Sequence, residues 1–248
     1  MSRRFDKRTN VFNQSGRINQ IEYAIKAIKN SGPALAFQYE KGILFCTEKQ
    51  DNSSLLVSSR TGEKIYKIDD HIYAIVSGLT SDGNYLVDHL RVEGQNHQYT
   101  FGTPIPVEQL VEKVGAYMHS YTHYGGMRPF GSAFLIMGYD NHNDLQIFSI
   151  DPSGNFSKWK AIAQGANEES INGLLQENYE EKNSRETALL FQMKLAIKAL
   201  DTRDPPINKL VIGYIEKSKI NEDSVDITYL TDDQKKEIVD KALQSPSL

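Results

Sequence analysis

The stretch FDKRTNVFNQSGRINQIEY, Phe5 to Tyr23, precedes every predicted strand and leads into a short amphipathic helix. Asn19, followed three residues later by Glu22, predicts a capping box at the helix start. Ile18 and Tyr23 have the spacing of a hydrophobic staple around that cap. An ordered helix ahead of the first strand must dock either on its own domain or on a neighbouring chain.

One apolar stripe runs along this helix, because Ile21, Ala24, Ile25 and Ile28 recur at i, i+3, i+4 and i+7. The run Asn30-Ser31-Gly32-Pro33 predicts the end of the helix. We therefore expect a helix over residues 19–30. A helix that only covers its own core and a helix that contacts a neighbour both remain open from these residues.

The composition excludes several classes of protein. The 248 residues are 39% hydrophobic and 24% charged with a net charge of −4, which is ordinary for a globular protein and argues against bulk binding of nucleic acid or membrane surfaces. The single cysteine, Cys46, excludes an internal disulfide and lies in the apolar run GILFCT, which predicts a buried, inert thiol. The polar start MSRRFDKR is not a signal peptide, so we expect an intracellular protein.

Blocks of strands alternate with pairs of helices along the chain. The hydrophobic patterns predict strands at 34–39, 42–48, 64–69, 72–77, 133–139, 145–150, 156–163, 210–216 and 225–229. Helices are predicted around 86–90, at 107–121, 168–179 and 184–200, and after a capping box at Thr231 and Gln234. This order favours an α+β fold in which two stacked antiparallel sheets are covered by helices on both outer faces, a four-layer αββα sandwich in one domain.

No motif of a familiar catalytic or metal site is complete. His119 and His123 have the i,i+4 spacing of a zinc pair, but the glutamate of HExxH is missing, so solvent or interface histidines are the favoured interpretation. Gly126 to Ser132 superficially resembles a phosphate loop, yet it lacks the lysine, and Pro129 removes an amide donor. We predict a turn into the next strand there. An ordinary α/β enzyme with an unrecognisable pocket remains the alternative at this point.

Several motifs together resemble the proteasome α-subunits. The N-terminal signature is carried by Asp6, Thr9, Phe12 and the run Gly16 to Ala24. Further matches are EKIYKI (63–68), SGLTSD (77–82), YT-YGG-RPFG (121–131) and DPSGN (151–155). They extend along nearly the whole chain, which makes the resemblance specific.

The resemblance implies the N-terminal-nucleophile hydrolase fold, in agreement with the predicted order of elements. It implies a non-catalytic subunit of the outer seven-membered ring of the 20S core particle, which helps assembly, gates the axial pore and docks activators in ubiquitin-dependent degradation. The implied partners are neighbouring α-subunits in a heteroheptameric ring, the β ring below and the C-terminal tails of activators above. It implies no cofactor, metal, nucleic acid or membrane, and a location in cytoplasm and nucleus.

The implied lack of activity has a residue-level reason. Catalytic β-subunits use a threonine whose own freed α-amine helps to activate its hydroxyl. By resemblance that threonine falls on Gly32, the partnering aspartate on Glu48 and the lysine on Lys64, so the nucleophile is absent. The rival hypothesis is a catalytic N-terminal-nucleophile peptidase, which would have to lose residues 1–31. A third is a homo-oligomeric scaffold outside any proteasome.

By resemblance, Lys64 lies in a pocket between subunits and pairs with the terminal carboxylate of an activator tail, with backbone amides near Leu79 completing the anchor. A surface lysine without this role is the alternative. The implied gate residues are Phe5, Asp6, Gln14 and Tyr23. Phe5 replaces a tyrosine of the family pattern and Gln14 a proline, so one hydroxyl and one fixed φ are lost. We expect a weak contribution to the ordered open gate.

The predicted domain organisation is one proteasome α-type domain over residues 1–248. It divides into a gate tail (1–18), the N-terminal helix (19–30), the sandwich core (33–230) and a C-terminal helix (231–243).

Overall fold

The computed structural model describes residues 10–49, 64–181, 183–200, 207–219 and 224–244. The helices are α1 (Asn19–Lys29), α2 (Thr80–Phe101), α3 (Val107–His123), α4 (Glu168–Asn178), α5 (Arg185–Ala199) and α6 (Asp232–Gln244). The first strands are β1 (Ala34–Tyr39), β2 (Gly42–Glu48), β3 (Ile65–Asp69), β4 (Ile72–Gly78) and β5 (Ser132–Asp140). They are followed by β6 (Asp144–Ile150), β7 (Phe156–Trp159), β8 (Ala161–Gln164), β9 (Leu210–Lys217) and β10 (Val225–Tyr229).

The strands form two five-stranded sheets, in the orders β10-β9-β2-β1-β8 and β3-β4-β5-β6-β7. Every pairing within them is antiparallel. The β1–β2 hairpin turns at Glu40 and Lys41, as predicted, because Tyr39 pairs with Gly42. The first sheet joins strands from both ends of the chain, since β2 pairs along its length with β9.

Three apolar clusters define the layers. One fills the space between the sheets and includes Phe45 and Leu135. The second lies between the β3–β7 sheet and helices α2 and α3. The third lies between the other sheet and helices α4, α5 and α6, and it holds Cys46, whose pKa is raised to about 12 by burial. The predicted four-layer αββα fold is therefore confirmed, and burying the apolar faces on both sides of each sheet is what holds it together.

The predicted single strand over residues 156–163 is wrong in one respect. The chain divides at Lys160 into β7, which pairs with β6, and β8, which pairs with β1 in the other sheet. The amide of Gln38 donates to the Lys160 carbonyl oxygen at 2.8 Å, which fixes the crossing point. A continuous run of strand-forming residues cannot indicate a change of sheet, because both halves have the same local preference.

The predicted capping box of α1 is also wrong. Ile18 occupies the N-cap position without a side-chain cap. The Asn19 carbonyl oxygen Oδ1 instead accepts from the Asn13 side chain at 2.7 Å, and Glu22 pairs with Arg17 at 3.6 Å. The side chain of Asn19 is bonded to Asn13 in the preceding turn, six residues earlier, so it does not cap the helix.

The capping box of α6 is confirmed. The Thr231 amide donates to Gln234 Oε1 at 3.0 Å, and the Gln234 amide donates to Thr231 Oγ1 at 3.4 Å. In α1, only Ile28 of the apolar stripe is fully buried, where it packs near the end of β4 at Gly78. The other stripe residues are half-buried, which leaves part of this face available to a neighbour.

Among the residues that the structure describes, no helix has the length and apolar content needed to cross a membrane.

Candidate functional site

Gly32 lies beside the charged side chains of Glu48 and Lys64, between the end of α1 and the start of β1. A β-carbon at position 32 would stand 2.7 Å from Glu48 Oε2 and 2.8 Å from Lys64 Nζ. Lys64 Nζ also donates to the Gly32 carbonyl oxygen at 3.4 Å. The structure thus brings together three residues that the sequence separates, and position 32 supplies no side-chain nucleophile.

The Lys64 ammonium is poorly solvated. The residue is 9% exposed, and burial lowers the pKa of its amino group while the charge of Glu48 acts in the opposite direction. Its backbone is fixed because the Val76 amide donates to the Lys64 carbonyl oxygen at 2.9 Å. A cation held in this way gains more from an additional carboxylate than an exposed lysine would, because water screens the pair less.

Leu79 is the N-cap residue of α2. Its backbone amide donates to the Gly131 carbonyl oxygen at 2.9 Å, so this amide is already used in the present conformation. Its side chain is 48% exposed and packs against Gly131, where a β-carbon would stand 2.6 Å from Leu79 Cδ1. The role of Lys64 and Leu79 as a pocket for a tail stays a prediction.

Asp82, in the first turn of α2, ties this helix to the segment before β5. Its carboxylate accepts from both terminal nitrogens of Arg128 and from the Gly131 amide at 2.8 Å. The Arg128 guanidinium and the Gly131 amide hold the pKa of the Asp82 carboxyl below its usual range, although burial opposes them. Both side chains lie in motifs that support the resemblance, but nothing local in the sequence pairs them.

A tight turn at residues 13–17 precedes α1. Asn13 Oδ1 accepts from the amides of Ser15 and Arg17, each at 2.9 Å, and the Arg17 carbonyl oxygen accepts from the Asn13 amide at 2.8 Å. Gly16 adopts φ +75°, which this turn requires and glycine adopts without strain. Gln14 is exposed within the turn. The Asn13 side chain thus organises a turn that lacks the proline of the family pattern, a role the sequence analysis missed.

The four predicted gate residues are only partly described. Phe5 and Asp6 lie outside the described residues. Gln14 occupies the turn before α1, and Tyr23 lies on α1 with 52% of its surface exposed. The gate cluster therefore stays a prediction.

The two sites that the sequence analysis set aside have clear structures. Gly126 precedes a bend that leads into β5 at Ser132, and the Gly131 amide binds Asp82 rather than facing an anion site. His119 and His123 face each other on α3, with Nε2 atoms 2.9 Å apart. Within the described ranges, no group of three or more histidine, cysteine, aspartate or glutamate residues could hold a metal.

Comparison with known proteins gives two family matches. The family model described as "Proteasome subunit" matches residues 28–215. A second model, which describes the N-terminal signature of A-type proteasome subunits, matches residues 5–27.

Curated relatives agree with these matches. The alpha type-4-A proteasome subunit of Arabidopsis thaliana is 40% identical over 221 residues, which cover 88% of each chain. The alpha type-4-1 proteasome subunit of Oryza sativa subsp. japonica is 41% identical over 215 residues, covering 87% of this chain and 86% of the relative. The alpha type-4 proteasome subunit of Petunia hybrida is 40% identical with the same coverage.

Proposed function

This chain belongs to the proteasome α-subunit family, and from that premise we propose that it occupies the alpha type-4 position, often called α3, in the 20S core particle. It is a non-catalytic ring subunit. The observation that carries the assignment is the α-type N-terminal signature over residues 5–27, in front of the core match over 28–215. The alpha type-4 names of relatives at about 40% identity support the position within the ring.

The lack of peptidase activity follows from position 32 in this proposal. The threonine of a catalytic β-subunit would fall on Gly32, which has no hydroxyl and whose nitrogen is part of a peptide bond. The nearness of Glu48 and Lys64 to Gly32 supports this alignment, because these are the positions given to the aspartate and the lysine of the catalytic set. Without the nucleophile, the two charged groups remain beside a glycine that has no side chain to react.

Native mass spectrometry of the tagged full chain, purified from its own cells, tests the assignment. We expect a particle of many different chains with the mass of a core particle, in which this chain keeps residues 1–31. The retained N-terminus distinguishes a ring subunit from a processed peptidase. A free monomer, a homo-oligomeric ring or a chain that begins near residue 33 would contradict the proposal. Fluorescence microscopy of the same tagged chain checks the proposed location in cytoplasm and nucleus.

Within the particle, we assign to Lys64 the anchoring of the terminal carboxylate of an activator tail. The burial of its ammonium supports this role, because the Glu48 carboxylate is the one charge among the described residues that raises its pKa and the site would gain from a further anion. The exposed side chain of Leu79 would offer apolar contact to the tail. The same assignment makes this chain one of the gate-forming subunits. Of the four proposed gate residues, Gln14 and Tyr23 lie in the described part of the chain.

A photo-crosslinking peptide with the sequence of an activator C-terminus tests the pocket on the intact particle. We expect Lys64→Met to lower the crosslinking yield of the free-acid peptide to this chain about tenfold. On the unmodified particle, an amidated peptide should give a yield lower by the same factor than the free-acid peptide. Lys67→Met is the matched control, since Lys67 is an exposed lysine on β3, the strand that begins directly after Lys64, and it pairs with Asp70. Equal yields for the free-acid and amidated peptides would refute a carboxylate anchor.

A further inference from the structure

The last turn of α3 presents two exposed histidines to each other. His119 and His123 are separated by one helical turn, and their Nε2 atoms are 2.9 Å apart. Their ring centroids are 4.6 Å apart and the ring planes cross at 87°, which is a T-shaped arrangement. Two imidazole nitrogens four residues apart on one helix face lie close enough to bind the same ion, once His123 releases its hydrogen from Nε2.

The other ring nitrogen of His119 is held from behind. His119 Nδ1 lies 2.9 Å from the Ser153 carbonyl oxygen, which can only accept, so Nδ1 carries the hydrogen. In the neutral ring, Nε2 then offers its lone pair towards His123. A metal-bound histidine commonly donates its second ring N–H to a backbone carbonyl in this way.

The turn that carries Ser153 is itself fixed. Its amide donates to Asp151 Oδ1 at 2.8 Å, and Gly154 packs so closely on α3 that a β-carbon there would stand 2.2 Å from the Gly115 carbonyl oxygen. The His119 ring is therefore oriented by a rigid support rather than by solvent. This support is what separates the pair from two histidines that happen to be neighbours on a helix.

We propose that His119 and His123 chelate one divalent first-row transition-metal ion through their Nε2 atoms, with Cu²⁺ and Ni²⁺ preferred over Zn²⁺. Two metal–nitrogen bonds of about 2.0–2.1 Å place the nitrogens about 2.9 Å apart at a right angle and about 3.3 Å apart at a tetrahedral angle. The observed 2.9 Å is the length of the N–H···N hydrogen bond between the two rings, and it is close to both separations. The preference for Cu²⁺ and Ni²⁺ therefore rests on the affinity order of divalent first-row ions for nitrogen ligands, which rises from Ni²⁺ to Cu²⁺ and falls at Zn²⁺.

The protonation states balance on binding. His123 now donates its Nε2 hydrogen to His119; when the metal binds, that hydrogen moves to Nδ1 of the same ring, and both imidazoles stay neutral ligands. Water fills the other coordination positions, because the described residues provide no group of three metal-ligating side chains. The ion replaces one hydrogen bond with two coordinate bonds.

The proposed site also lies next to Asn10, the first described residue. The Asn10 side chain donates to the His123 carbonyl oxygen at 3.0 Å, at the point where the described chain begins. The ion would link His119 to His123 across the last turn of α3. It would thereby restrain the His123 carbonyl oxygen, which accepts from Asn10.

Titration of the full chain with Cu²⁺ tests the site, with glycine present to remove weakly held copper and electron paramagnetic resonance as the readout. We expect one tightly bound ion per chain, with hyperfine structure from two nitrogen ligands. His123→Gln should weaken binding about tenfold or more and remove the two-nitrogen signal, while it leaves the contact of His119 with Ser153 intact. His119→Gln should weaken binding to the same degree and remove the two-nitrogen signal, and it also removes the contact with Ser153.

His142→Gln is the control, because His142 is another exposed histidine that lies outside α3. This variant should keep both the affinity and the two-nitrogen signal. Unchanged binding after His123→Gln, or an equal loss after His142→Gln, would overturn the proposal. A second readout uses the unmodified chain alone: tighter binding of Zn²⁺ than of Cu²⁺ would overturn the proposed preference for Cu²⁺.

Discussion

Replacing Gly78 with alanine is expected to lower the free energy of unfolding by about 4 kcal/mol, as for the most severe single substitutions. Gly78 ends β4 with φ +106°, where an alanine is strained. A β-carbon there would also stand 2.2 Å from the Gly131 carbonyl oxygen and 3.1 Å from Ser132 Cα. Both are backbone atoms of the neighbouring segment, so they cannot move aside as a flexible side chain could.

The matched control is Gly102→Ala. Gly102 ends α2 with φ +72° and has no atom within 4 Å of its β-carbon position, so this variant carries the backbone strain without the collision. It should cost about 1 kcal/mol. Urea unfolding of the full chain compares the two variants. Equal losses would mean that the contact with Gly131 relaxes at little cost and that the junction of β4 and β5 is softer than its geometry implies.

Removing the carboxylate of Asp82 is expected to cost about 2–3 kcal/mol, mainly because the buried Gly131 amide loses its acceptor. Arg128 contributes less to this cost, since its side chain is 60% exposed and water can solvate it once the pair is broken. Asp88→Ala is the control on the same helix. Asp88 is 77% exposed and pairs with Arg91 at 3.3 Å, so its loss should change the unfolding free energy by about 0.5 kcal/mol or less.

The Asp82 contribution should depend on pH in a defined direction. Because the pKa of this carboxyl is lowered in the folded chain, its stabilisation is complete above the unfolded value of about 3.9 and is lost as the pH falls through the folded value. The difference in unfolding free energy between the unmodified chain and Asp82→Asn should therefore be constant from pH 5 to 8 and shrink below about pH 4. A difference that is the same at pH 3 and pH 7 would show that ionisation of Asp82 contributes nothing.

Most of the fold could be predicted from the sequence because its signals are local. The turn at Glu40 and Lys41 lies between two apolar runs, and the capping box of Thr231 and Gln234 involves residues three apart. The change of sheet at Lys160 could not be predicted, because the choice of partner strand depends on residues far along the chain.

The candidate site likewise has one part that could be predicted from the sequence and one part that could not. By resemblance, the threonine, aspartate and lysine of a catalytic subunit fall on Gly32, Glu48 and Lys64, and the structure brings these three residues together. The pair of Asp82 and Arg128 gave no signal, because the residues are 46 positions apart and charged residues pair with no sequence rule at that distance.

The pairing of β2 with β9 has a consequence for folding during translation. The β1–β2 hairpin is synthesised early, but the strand that covers its open edge begins only at Leu210. At translation rates of roughly 5–20 residues per second, that edge waits on the order of ten seconds for its partner. An uncovered edge of apolar strands invites pairing with other nascent chains. The early hairpin therefore stays open to incorrect pairing until the C-terminal strands emerge.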